Sequence, residues 1–148
     1  MWELSGIFGT GAPLTVDLTL IAQIAAFVLV AIAMVCKFKR KWKPHGFIMG
    51  GALVLHLINF LVIMVPLFMT NFGLYTTGTS FVFVQTLWGH AISGALALLL
   101  GAFITLAWVP KPSSLKHCFR RKRLMDATVL LWAISLALAI ITYVELYA

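Results

Sequence analysis

Four long apolar stretches leave this chain few ways to fold. They run from Thr15 to Cys36, His45 to Met69, Phe81 to Trp108 and Met125 to Tyr147. A helix rises 1.5 Å per residue, so about 20 residues cross a hydrocarbon layer roughly 30 Å thick. Within that layer a helix satisfies its own backbone groups, which an irregular segment cannot do. The stretches therefore predict an all-α integral membrane protein, a four-helix up-down bundle forming one transmembrane domain over residues 1–148. Composition agrees. Hydrophobic residues make up 62% of the chain, charged residues 10%, and the mean hydropathy is +1.04, far from the soluble range.

The formal charge of +7 would suit a nucleic-acid-binding protein, but its placement points elsewhere. All 11 basic residues fall in two connections. Lys37, Lys39, Arg40, Lys41 and Lys43 lie between the first two stretches, and Lys111, Lys116, Arg120, Arg121, Lys122 and Arg123 between the last two. Cations beside transmembrane helices mark the cytoplasmic side. This predicts cytoplasmic basic loops, both termini outside, and no nucleic-acid partner. The same side chains suit anionic lipid headgroups. Glu3, Asp17 and Glu145 fall at outer ends, and Asp126 at the start of the fourth helix, where the helix dipole favours a carboxylate. Trp42 and Trp108 reach the inner interface, and Trp2, Tyr75, Trp88, Tyr143 and Tyr147 approach the outer one.

The first residues, MWELSGIFGTGAPLTVDL, lack a basic n-region and a small-residue cleavage pattern, so no removable signal peptide is expected. Cys36 and Cys118 border the basic segments on the reducing side and are expected to be free thiols. The second connection, TNFGLYTTGTS, is uncharged. Small residues recur at helical spacing: Gly46 and Gly50, then Ser93, Ala97 and Gly101, then Ser135 and Ala139. In a bilayer such stripes let helix backbones approach closely.

Four histidines are the candidates for chemistry. An imidazole inside hydrocarbon is costly and normally faces the bundle interior, a cavity or a cofactor, which singles out His56 and His90. The alternative is a neutral ring bonded to a helix carbonyl, Asn59 or Gln85. His45 and His117 fall among the cations at the inner interface, where a solvated role is the simpler reading. Neutral imidazoles on facing helices can hold haem iron. Counted inward from Pro44 and Pro110, His56 lies roughly 18 Å and His90 roughly 30 Å deep, about two turns apart in level. Met64 is level with His90, which makes a His and Met site conceivable. CxxC, HExxH, a phosphate-binding glycine loop and paired carboxylates are missing, and Ser93 has no evident base, so catalytic activity of its own is not expected.

The stretch from Lys41 to Tyr147 resembles a family of bacterial and archaeal four-helix membrane proteins that includes the CtaM/YozB-like cytochrome c oxidase assembly proteins. The resemblance rests on KWKPHGFIM with His45, LWGHAISGALALLLGAF with His90, and the basic loop HCFRRKR leading into the last helix. The sequence departs from the pattern at Arg121, where the family places a His, and in carrying His56 as an addition. The resemblance implies an accessory or assembly protein of a respiratory or metalloenzyme complex in a prokaryotic cell membrane. It also implies haem b, copper or iron at His90 and His45, and a larger membrane complex or a homo-oligomer as partner. A haem-b electron carrier using His45, His56, His90 and His117, and a purely structural subunit, are the alternatives.

Overall fold

A computed structural model describes residues 6–77, 80–109 and 121–147. The described residues form helices and no strands. Helix α1 spans Leu14–Phe38 and α2 spans Trp42–Asn59. A π-helical turn, Phe60–Met64, carries α2 into α3, Val65–Thr70. A short α4 follows at Phe72–Thr77, then α5 at Phe81–Trp108 and α6 at Lys122–Tyr147. Four of these segments, 14–38, 42–70, 81–108 and 122–147, are long and apolar enough to cross a membrane. Their outward faces carry Phe, Leu, Ile and Val, a surface that water does not favour and lipid does.

The α1–α2 turn closes in three residues because Arg40 takes a left-handed conformation (φ 58°). Its amide bonds the Lys37 carbonyl at 3.0 Å and the Lys41 amide bonds the Cys36 carbonyl at 2.9 Å, the pair of bonds of a Schellman motif. Ser80 caps α5, its hydroxyl accepting from Phe83 N at 3.1 Å, as N-cap serines do. The second connection is not all loop. Asn71 donates to the Leu67 carbonyl at 2.9 Å, and Phe68 packs its ring 5.6 Å from those of Phe72, Tyr75 and Trp88. That aromatic cluster gives the six residues of α4 the tertiary support that so short a helix needs.

The bundle consists of two hairpins. Helix α1 packs most extensively on α2, and α5 on α6, while narrower seams join α2 to α5 and α1 to α6. Close approach comes at particular small residues. A Cβ on Gly94 would meet Ser135 Oγ at 2.9 Å, one on Gly101 would meet Leu53 at 2.9 Å, and one on Gly46 would run into the Trp108 ring. Gly50, on the same predicted stripe, faces open space.

The α1–α6 seam carries a polar clasp at each end. At the end bearing the basic residues, Lys37 Nζ lies 3.2 Å from Asp126 Oδ1. At the opposite end, which carries both terminal segments, Tyr143 donates to Asp17 Oδ1 at 2.8 Å.

Candidate functional site

Helix α1 changes character halfway along. The buried residues of α1 are Asp17, Thr19 and Gln23, then Ala26, Val30 and Ala33. The basic half of the bundle is filled by a core of Ala26, Val30, Ala52, Ala97 and Trp132. The terminal half holds a cavity of about 450 Å³, lined among others by Gln23, His56, Met64, His90 and Tyr143. Its walls are mostly apolar and its size is that of a cofactor pocket. The lining along α2 and α3 runs from His56 to Met69, so the cavity is elongated along the bundle axis.

His90 is tied to the facing helix. Its Nδ1 lies 2.9 Å from the Ser135 carbonyl oxygen and 3.0 Å from Ser135 Oγ, and Ser135 Oγ donates back to the His90 carbonyl at 3.1 Å. A carbonyl only accepts, so the proton sits on Nδ1 and Nε2 keeps its lone pair. A bonded Nδ1–H with a free Nε2 is the arrangement that orients imidazole ligands in metal sites. Gly94 allows it, since Ser135 occupies the space its side chain would take.

His56 lies nearer the basic half, its ring tilted against Trp132 with centroids 5.0 Å apart and close to the backbone of Gly94. It is 4% exposed, and its Nδ1 has no hydrogen-bond partner among the described residues. The same is true of both amide atoms of Asn59 one turn on; neither Asn59 nor Gln85 satisfies His56, and Gln85 is exposed. Helix backbone does meet both intramembrane rings, that of Gly94 at His56 and the Ser135 carbonyl at His90, as the alternative reading of these histidines expects. In hydrocarbon a polar group without a partner is costly.

Met64 reaches the cavity through the π-turn. Pro66 has no amide to donate and its ring crowds the carbonyl four residues back, and the helix widens, with Val65 N bonding the Phe60 carbonyl five residues back. In a regular helix Met64 would sit about 80° around the axis from His56. The extra residue of a π-turn removes about 100° of phase, leaving the two within about 20°.

His56, His90 and Met64 thus share one cavity. His45 does not join them. It is buried near the basic end, with Nδ1 2.8 Å from the Ala33 carbonyl, and it lies roughly 16 Å along α2 from His56. It is a helix-pairing residue rather than a solvated one. His117 and Arg120 lie outside the described residues, as does Cys118. Among the cations, Lys37 pairs with Asp126 and Arg121 lies 5.2 Å over the Phe103 ring. Lys39, Arg40, Lys41, Lys43, Lys122 and Arg123 are exposed. No group of three or more His, Cys, Asp or Glu side chains converges among the described residues.

Asp17 is the residue whose role sequence reading missed. It is 0% exposed. Besides Tyr143 it accepts from Ile7 N at 2.6 Å and Phe8 N at 3.1 Å, and Thr10 Oγ1 lies 2.7 Å from the Tyr143 hydroxyl. One carboxylate therefore holds segment 6–12 across the end of the bundle. No signal in the sequence announces this, because an acidic residue at a helix start is usually accounted for by the dipole alone.

No protein-family model matches the chain, and neither a curated protein nor a solved structure matches it.

Proposed function

We propose that this is an accessory or assembly membrane protein of a respiratory or metalloenzyme complex, with the basic loops in the cytoplasm and both termini outside. Its intramembrane cavity holds a transition metal, as haem b or as a copper or iron ion. His90 is the principal ligand, and His56 and Met64 are the candidates for a second. The observation that carries this reading is the state of His90, whose Nδ1 proton is engaged by Ser135 while the residue lines an apolar cavity.

The donor set fits such a metal. Neutral imidazoles suit copper and iron, and a thioether favours the softer states of both. The unpartnered Nδ1 of His56 is relieved when a metal or a polar group of the cofactor takes its lone pair. A bound metal would supply electron-transfer or metal-delivery chemistry, while the chain itself orients the ligands and excludes water. The resemblance over Lys41–Tyr147 supports the respiratory setting but places the inner metal ligand at His45. The Nδ1 of His45 bonds the Ala33 carbonyl much as that of His90 bonds Ser135, but His45 does not line the cavity. Metal analysis of the purified protein, with identification of the membrane subunits that co-purify, tests the reading. Stoichiometric iron or copper is expected, and a metal-free protein without partners would overturn it.

A further inference from the structure

The cavity is not sealed, and its opening faces lipid. Three of its lining residues are exposed on the outside of the bundle, Met69 of α3 at 71%, Trp88 of α5 at 36% and Ile92 of α5 at 56%, whereas none of those on α1 or α6 is exposed. At about 100° per residue around α5, the lining starts at His90 and Gly94, passes Ala91 and Ala95, and ends at Trp88 and Ile92, a sweep of about 200° in one direction. The other flank of α5 belongs to α6, where Gly89 faces Leu138 and Thr86 bonds Glu145. The open flank faces α3, whose Phe68 ring lies 5.6 Å from that of Trp88. Ala91 and Ala95 fill little of the gap there. Trp88, held by its Nε1 bond to the Tyr75 carbonyl at 3.2 Å, bounds it on the terminal side.

We infer that the cavity opens sideways into the bilayer between α2–α3 and α5, and that its metal enters there already held in a lipophilic macrocycle, as haem, rather than as a bare ion. This rests on the cavity being a metal site and names the form in which the metal comes. Charge is the first reason. The described lining contains no Asp, Glu, Cys, Lys or Arg, so a bare copper or iron ion would lie in an apolar wall with neutral donors alone, and a buried charge without a counter-charge is very costly. A porphyrin brings two negative nitrogens of its own to the metal. Size is the second reason, since about 450 Å³ is the space of a cofactor and far more than one ion needs. The route is the third. Met69 and Ile92 at the rim are apolar, so what passes between them is a molecule already dissolved in the membrane. Inside, Nε2 of His90 supplies an axial ligand, its ring held by the Nδ1 bond to the Ser135 carbonyl.

The test uses the full chain, made in iron-depleted cells and reconstituted in liposomes. The probe is zinc protoporphyrin dissolved in the lipid, whose zinc needs only one axial ligand and whose Soret band shifts when an imidazole takes it. Stoichiometric uptake with that shift is expected in the parent protein and not in His90→Ala, while copper(I) or iron(II) supplied alone should not be retained. Ile92→Trp, which narrows the rim, should slow uptake about tenfold, as about 1.4 kcal/mol of added barrier does, and reach the same final level. Ile140→Trp, on the exposed face of α6, should leave the rate unchanged. Stoichiometric retention of the bare ion without porphyrin would overturn the macrocycle and leave the metal site standing. An uptake rate unmoved by Ile92→Trp would overturn the sideways route. A protein that takes up neither porphyrin nor ion would count against the metal site itself.

Discussion

The Nδ1 of His90 on α5 and the main-chain oxygen of Ser135 on α6 are 2.9 Å apart, and this bond both joins two helices and decides which imidazole nitrogen is available. Helix packing and ligand preparation thus depend on one contact. The reciprocal bond from Ser135 Oγ to the His90 carbonyl, at 3.1 Å, makes the pair mutual.

Ser135→Ala keeps the main-chain acceptor and removes the hydroxyl. It should lower stability in detergent by about 1 kcal/mol, the usual size of an interhelical hydrogen bond in a membrane protein. Thermal unfolding followed by circular dichroism measures it. A loss above about 3 kcal/mol would mean that the hydroxyl does more than bond His90.

The N-terminal segment should be held by Asp17 rather than by its own packing. In Asp17→Ala the amides of Ile7 and Phe8, protected in the parent protein, should exchange with solvent like those of a free segment. Tyr143→Phe should have a smaller effect, because the two amide bonds remain. Hydrogen exchange read by mass spectrometry distinguishes the two variants.

Two helix glycines should behave differently. A methyl at Gly94 meets Ser135 Oγ at 2.9 Å, whereas one at Gly50 meets nothing within 4 Å. Gly94→Ala should cost about 1–3 kcal/mol through overpacking, while Gly50→Ala should be neutral or slightly stabilising. Denaturation midpoints of the two variants provide the comparison.

Arg40 adopts φ 58°, a conformation that costs a residue with a side chain about 1 kcal/mol relative to glycine. Arg40→Gly should therefore raise the unfolding midpoint, despite the loss of one cation from the α1–α2 turn. A lower midpoint would show that this guanidinium makes a contact worth more than the strain.

The helices themselves were legible, because hydropathy integrates over 20 or more residues and outweighs any local preference. The stretches 15–36, 45–69, 81–108 and 125–147 reappear within three residues at each end as the segments 14–38, 42–70, 81–108 and 122–147. The site was legible only in its parts. His56 and His90 stand out one at a time, since an intramembrane imidazole is costly wherever it lies. That they share a cavity depends on its length along the bundle axis, which no periodicity reveals. Met64 joins them through a π-turn, and a count at 3.6 residues per turn places it on another face. Asp17 bonds the amides of Ile7 and Phe8 close by in the chain, but its tie to Tyr143 spans more than a hundred residues, and no periodicity or motif encodes either.

The most direct test of the metal-holding cavity is an absorption spectrum and metal analysis of the purified protein beside His90→Ala. The account predicts a Soret band or stoichiometric copper or iron in the parent protein, lost in His90→Ala while the helical content is unchanged. Neither signal in the parent, or the same signal in both proteins, would contradict it.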